Sequence, residues 1–194
     1  MKTRLFPALL AALCLLCTAG PAPAAEAPTN PAHQTRAGLY ATPAEAYAQW
    51  SADQAGVTII DVRTPEEYVF LGHAPMAANI PLQFMTHEFN PDRNSYAMES
   101  NPDFVDLVKE RCKPDARILL MCRSGSRSAM AVNRLVRAGF TQAYSILDGF
   151  EGEADTDPQS PTFGQRLRSG WKNSGLPVSF RLEPDLAFRP RPRP

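Results

Sequence analysis

Within the stretch RILLM (117–121) four apolar residues run without a break, pass at Cys122 into the short loop CRSGSR, and are followed by an apolar period closed at Gly139. A short run with no alternation suits a strand covered on both faces, the condition of strands in parallel sheets whose crossovers lay helices on either side. The rest of the chain repeats this grammar. VTII (57–60), AANIPL (77–82) and AYSIL (143–147) read as further short strands. Between them stand helix starts: Thr42 and Pro43 with Glu45 three residues after the cap, Thr64 and Pro65 followed by acidic residues, and Asn101 and Pro102 ahead of Phe104, Leu107 and Val108 on one face. Strands alternating with helices predict an α/β fold with a parallel sheet between helices.

Other segments carry weaker signals. Residues 83–101 are polar and read as irregular; 151–161 form an acidic loop, and TFGQRLRSGW (162–171) reads as a short helix. Lys2 and Arg4 precede an apolar run of 13 residues, Leu5–Cys17, and small residues follow, so residues 1–25 read as a secretory signal peptide. That run is shorter than the roughly 20 residues a membrane-spanning helix needs. The expectation is a periplasmic or secreted protein with no membrane span after processing. Residues 26–39 read as a flexible lead-in, 40–180 as one domain, and 181–194 as a Pro/Arg-rich tail that cannot pack.

Removing Lys2 and Arg4 turns 20 basic against 20 acidic residues into 18 against 20, which gives no field for nucleic acid or anionic lipid. Of the four cysteines, Cys112 and Cys122 lie beyond the signal. An extended RILLM strand of five residues would hold them roughly 16 Å apart. A disulfide needs Cα atoms within about 7 Å. Cys122 is therefore expected to be a free thiol and Cys112 a packing residue at a helix end.

In a parallel sheet, functional groups gather beyond the carboxyl ends of the strands, where Cys122 falls. Gly125 and its serine neighbours allow a tight turn whose N–H groups converge on the sulfur, at the start of the following helix, an arrangement that binds anions. Arg123 and Arg127 add full charges, so this field favours thiolate over thiol and makes Cys122 a nucleophile. The bland alternative is a small buried hydrophobe capping a strand.

The pieces IIDVRTPEEY (59–68), GHAPMAANIPL (72–82), CRSGSRS (122–128) and GWKNSGLPV (170–178) together resemble a single-domain rhodanese, a sulfurtransferase family. The resemblance implies a five-stranded parallel sheet with helices on both faces. It implies double displacement: the Cys122 thiolate takes the outer sulfur of thiosulfate or a similar sulfane donor, and the Cys122 persulfide passes it to a thiol or cyanide acceptor. No cofactor is implied. Arg123 resembles the thiosulfate-using members, the backbone from Ser124 through Gly125 and Ser126 to Ser128 would cradle the sulfur, and Arg127 would hold the loop. Asp61 and Arg63 would support the structure, with an ion pair to an acidic residue such as Glu67. A noncatalytic rhodanese module that binds a partner or carries sulfur is the alternative. Phosphatases sharing this fold place five residues between cysteine and arginine; here four separate Cys122 from Arg127, a ring better suited to one sulfur atom. His73 reads as a structural turn histidine and Trp171 as a plug against the sheet. His33 and His87 have no ligand-like spacing, and no metal site is expected.

Overall fold

The computed structural model describes residues 25–191, so the expected signal peptide lies, save for its last residue, outside the described residues. Five strands form one parallel sheet: β1 (Tyr40–Ala41), β2 (Val57–Asp61), β3 (Ala78–Asn79), β6 (Arg117–Met121) and β7 (Ala143–Ile146), in the order β1-β7-β6-β2-β3. β6 is central, paired with β2 from Val57↔Arg117 to Asp61↔Met121 and with β7 from Ile118↔Ala143 to Leu120↔Ser145. Its alternate side chains serve the two faces, as the strand period requires. Ile118 and Leu120 pack with Phe104 and Val108 of α3 (Phe104–Arg111) and with Val132 and Leu135 of α4 (Ser126–Arg137). Leu119 and Met121 pack on the other face with Ala46 of α1 (Pro43–Ala52), Phe150 and Trp171. Trp171 is the expected plug, fully buried, its Nε1 donating to Pro177 O at 2.8 Å.

Two helix starts are reciprocal capping boxes. Thr42 and Glu45 exchange bonds at α1, and Thr64 and Glu67 do so at α2 (Pro65–Phe70). α3 starts later than its sequence suggests. Asp103 precedes it without a side-chain cap, and Asn101 instead turns the approach, accepting from Asp103 N at 3.0 Å and donating to Pro81 O at 2.7 Å.

Four further expectations are corrected. Residues 83–101 are an antiparallel hairpin of β4 (Gln83–Asn90) and β5 (Ser95–Ser100), held by its own ladder and by a Phe89–Tyr96 edge contact at 5.7 Å. Its composition misleads because neither face is fully buried. TFGQRLRSGW is a series of turns, and the one helical piece nearby is a 3-10 turn at Trp171–Asn173. Asp155 organises the turns: its Oδ2 accepts from Ser160 Oγ at 2.6 Å and Thr162 Oγ1 at 2.7 Å. The tail packs: Asn79 N donates to Leu186 O at 2.7 Å along the sheet edge, Phe188 meets Phe84 at 5.5 Å, and Arg191 pairs with Glu110 at 2.6 Å. The lead-in is docked as well, through a 3-10 turn at Pro31–His33 and a bond from Arg36 N to Asn133 Oδ1 of α4 at 2.8 Å.

Candidate active site at the Cys122 loop

The sheet order places three carboxyl-terminal strand ends side by side, and each delivers one polar residue: Asp61 from β2, Cys122 after β6 and Ser145 from β7. The chain after β7 then grips the loop. Phe150 N donates to Cys122 O at 2.7 Å and Glu151 N to Arg123 O at 2.9 Å. With those carbonyls held, Gly125 N–H turns to the sulfur and donates to Cys122 Sγ at 3.1 Å. Gly125 adopts φ 127°, open to glycine alone at little strain. Gly149 is required for a different reason: a Cβ there would stand 2.4 Å from Cys122 O.

Below the sulfur runs a hydroxyl chain. Cys122 Sγ lies 3.7 Å from Ser128 Oγ, which donates to Gly125 O at 2.8 Å and meets Ser145 Oγ at 2.9 Å. Ser128 and Ser145 are both buried, and Cys122 is 1% exposed. Cys112 is also a free, buried thiol; burial pushes its pKa up, which suits a packing residue. Of the amides from Ser124 to Ser128 expected around the sulfur, Gly125 N–H is the one within hydrogen-bond reach of Sγ.

The two loop arginines are placed differently. Arg127 is anchored below the rim, donating from Nη1 to Glu67 Oε2 at 2.6 Å and from Nη2 to Glu67 Oε1 at 2.7 Å. Burial pushes the Glu67 carboxyl upward, but the hydrogen bonds and charge of Arg127 outweigh it and leave the pKa below its usual value. Glu67 thus joins the α2 cap to the loop. Arg123 stands half exposed at the mouth, with Nε 3.2 Å from Glu151 Oε1; Glu151 Oε2 accepts from Lys172 Nζ at 3.2 Å. Between Arg123, Arg127 and the hairpin opens a cavity of about 470 Å³, with Met85, Tyr96 and Met98 on its hairpin side.

Asp61 and Arg63 pair with each other, not with Glu67. Arg63 donates from Nε to Asp61 Oδ1 at 3.0 Å and from Nη2 to Asp61 Oδ2 at 2.6 Å, reaches Gly72 O at 2.8 Å, and lies 4.0 Å over the Phe150 ring. Both are fully buried, and Glu67 is taken by Arg127. His73 stacks on Tyr68 at 3.8 Å and bonds backbone carbonyls, a structural role.

Ser145, Gly149, Glu151, Lys172 and Arg166 were not read from sequence as site residues. Glu151, Gly149 and Lys172 belong to the LDGFEGE and GWKN stretches, whose order after β7 was the available signal. Ser145, inside an apolar strand, offered none. Arg166 donates to Gly152 O, and burial, then the Arg123 charge, pushes its pKa down. Among the described residues no group of three or more His, Cys, Asp and Glu is placed to hold a metal ion, and no helix is long and apolar enough to cross a membrane.

The model of the rhodanese-like domain family matches residues 42–153. The protein named thiosulfate sulfurtransferase 16, chloroplastic, of Arabidopsis thaliana is 33% identical over 124 residues, 64% of this chain and 81% of its own length. The uncharacterized protein RP600 of Rickettsia prowazekii is 31% identical over 122 residues, 63% of this chain and 82% of that protein. Among solved structures, Rv0390 from M. tuberculosis superimposes with a TM-score of 0.56 at 28% identity, covering 73% of this chain and 99% of that one.

Proposed function

Because the chain belongs to the rhodanese-like domain family, we propose that it is a sulfurtransferase working through a Cys122 persulfide, with thiosulfate or a similar sulfane anion as donor. The Cys122 thiolate attacks the outer sulfur of thiosulfate. A new S–S bond forms, the donor's S–S bond breaks, and its electron pair leaves with sulfite. The terminal sulfur of the persulfide extends about 2.05 Å beyond Sγ, into the turn between Gly125 and the rim. An acceptor then attacks that sulfur and returns the bonding pair to Cys122 as thiolate.

The observation that carries this reading is the Gly125 N–H aimed at Sγ at 3.1 Å, in a loop whose Cys122 and Arg123 carbonyls are held by the Phe150 and Glu151 amides. A donor to an anionic sulfur, fixed before the reaction, stabilises charge where it develops. Arg123, at the mouth with only its Nε set against Glu151, is suited to the sulfonate end of thiosulfate. An exported location is part of the same proposal and rests on the Lys2, Arg4 and Leu5–Cys17 pattern.

The test is conversion of thiosulfate and cyanide to thiocyanate, with Cys122→Ser as control. Wild-type protein is expected to turn over and to gain the mass of one sulfur atom on the Cys122 peptide after thiosulfate treatment. A wild-type rate equal to that of Cys122→Ser would refute the enzyme reading and leave a noncatalytic module.

A further inference from the structure

The segment before β1 closes over the Cys122 loop. Asn30 caps the Pro31–His33 turn, its Oδ1 accepting from Ala32 N at 3.0 Å, and the next residues are tied down by Thr35 N to Tyr40 Oη at 2.7 Å and Arg36 N to Asn133 Oδ1 at 2.8 Å. This seats the His33 ring on Gly125. A Cβ built on Gly125 would meet His33 Nδ1 at 3.0 Å, Cγ at 3.1 Å and Cε1 at 3.3 Å. Gly125 is the residue whose N–H meets the Cys122 sulfur. His33 thereby packs against the residue whose N–H meets the reacting atom.

A second segment completes the arrangement. Glu153, from the turns after β7, sets Oε1 3.5 Å from His33 Nδ1, with side-chain exposures of 55% for Glu153 and 12% for His33. A carboxylate facing Nδ1 favours the neutral tautomer with its proton there, which leaves the lone pair on Nε2. Among the described residues Nε2 has no protein hydrogen-bond partner. This is a partly exposed histidine with an acidic residue at Nδ1, packed on the loop that holds the nucleophilic sulfur, and none of the structural bonds described above uses it.

We infer that His33, oriented by Glu153, is the general base of the sulfur-accepting half-reaction, and that the acceptor it serves is a protonated thiol. This rests on the sulfurtransferase reading. A thiol of ordinary pKa, about 8.5, is mostly protonated at neutral pH and must lose its proton to attack. His33 Nε2 takes the proton from R–SH. The R–S⁻ lone pair forms a bond to the outer sulfur of Cys122–S–S⁻, the persulfide S–S bond breaks, and its electron pair returns to Cys122 as thiolate. The product is R–S–S⁻, the proton leaves His33 to water, and no outside oxidant or reductant is consumed. Loading from thiosulfate, and attack by an acceptor that is already ionised, move no proton, so His33 has no part in either.

That difference supplies the test. Full-length protein is loaded with thiosulfate, and sulfur transfer is followed separately to 2-mercaptoethanol and to 5-thio-2-nitrobenzoate, which is already ionised at neutral pH. General-base catalysis contributes about 10²-fold or more. His33→Gln, which keeps a planar group on Gly125, is expected to slow transfer to 2-mercaptoethanol by about 100-fold. Its rate with 5-thio-2-nitrobenzoate is expected to match wild type. Glu153→Gln should slow the 2-mercaptoethanol reaction alone, by a smaller factor. Equal slowing of both acceptors in His33→Gln would make the histidine a packing residue of the loop and overturn the inference, as would an unchanged rate with 2-mercaptoethanol. A wild-type protein inactive toward every acceptor would instead overturn the underlying sulfurtransferase reading, and this one with it.

Discussion

Glu67 is asked to do two things at once, cap α2 and hold Arg127, and the second can be removed with little harm to the first. Glu67→Gln keeps an amide oxygen to accept from Thr64 N, now at 3.0 Å, but it removes the charge that faces the bidentate guanidinium. Exposed ion pairs contribute about 0–1 kcal/mol. Breaking a fully buried pair by removing one partner costs about 3–5 kcal/mol. With side-chain exposures of 14% for Arg127 and 20% for Glu67, the loss here belongs between these ranges, at about 2–3 kcal/mol. With a urea slope of about 2 kcal/mol per M, that moves the unfolding midpoint down by about 1–1.5 M at pH 7. The pH dependence has a definite sign. The folded pKa of Glu67 lies below the ordinary value of 4.5, so its charge stabilises the fold fully above that value and loses effect as pH falls through the folded one. The gap between wild type and Glu67→Gln, measured by urea titration at descending pH, must therefore narrow toward zero in acid. A gap that stays constant to about pH 3 would show that the loss is a capping or packing defect and not the ion pair.

Two further outcomes follow from close contacts around the loop. Gly149→Ala would press its Cβ to 2.4 Å from Cys122 O at a positive φ, so thiosulfate:cyanide turnover is expected to fall by more than about 10-fold while urea stability drops by about 1–3 kcal/mol; wild-type turnover would mean the loop carbonyl need not be held. Hydrogen bonds from Ser160, Thr162 and the Asp157 amide hold the Asp155 carboxyl down at about 2, so the turns it organises should keep their protease resistance until acid well below the ordinary carboxylate range. Asp155→Asn should admit cleavage within residues 152–169 at neutral pH, and equal protection of the variant would remove Asp155 from that role.

The βα unit from Arg117 to Gly139 was readable because each level agreed: an unbroken apolar run, a turn-forming loop, and a helical period ending at a glycine of φ 94°. The two-residue strand Tyr40–Ala41 was not, because its place is set by pairing with Ser145 and Ile146 and not by any local pattern. The hairpin failed for a related reason. Its side chains bury little, so the stabilising pattern lies in ladder bonds, which side-chain periodicity does not encode. In the site, the loop itself was legible, while its partners were misassigned wherever they came from distant chain. The family resemblance suggested Glu67 as the ion-pair partner of Asp61 and Arg63, yet Arg63 turns back on Asp61 two residues away and Glu67 takes an arginine 60 positions on. His33 shows the limit most clearly: composition made its segment a tether, and only the fold puts it against Gly125.

The charges near the sulfur are sorted by depth, and that sorting bears on the donor. Asp61 with Arg63 and Glu67 with Arg127 are closed pairs, each satisfied internally, and such pairs add rigidity but little outward field. The rim is built otherwise. Glu151 is shared between Arg123 and Lys172, and Glu153 faces His33. A single carboxylate divided between two cations leaves positive potential at the mouth, where a dianionic donor would arrive, while the deep pairs leave the loop geometry independent of whether the donor is bound. Under the proposed sulfurtransferase reading, specificity for an anion would rest on the rim residues and the reacting geometry on the closed pairs.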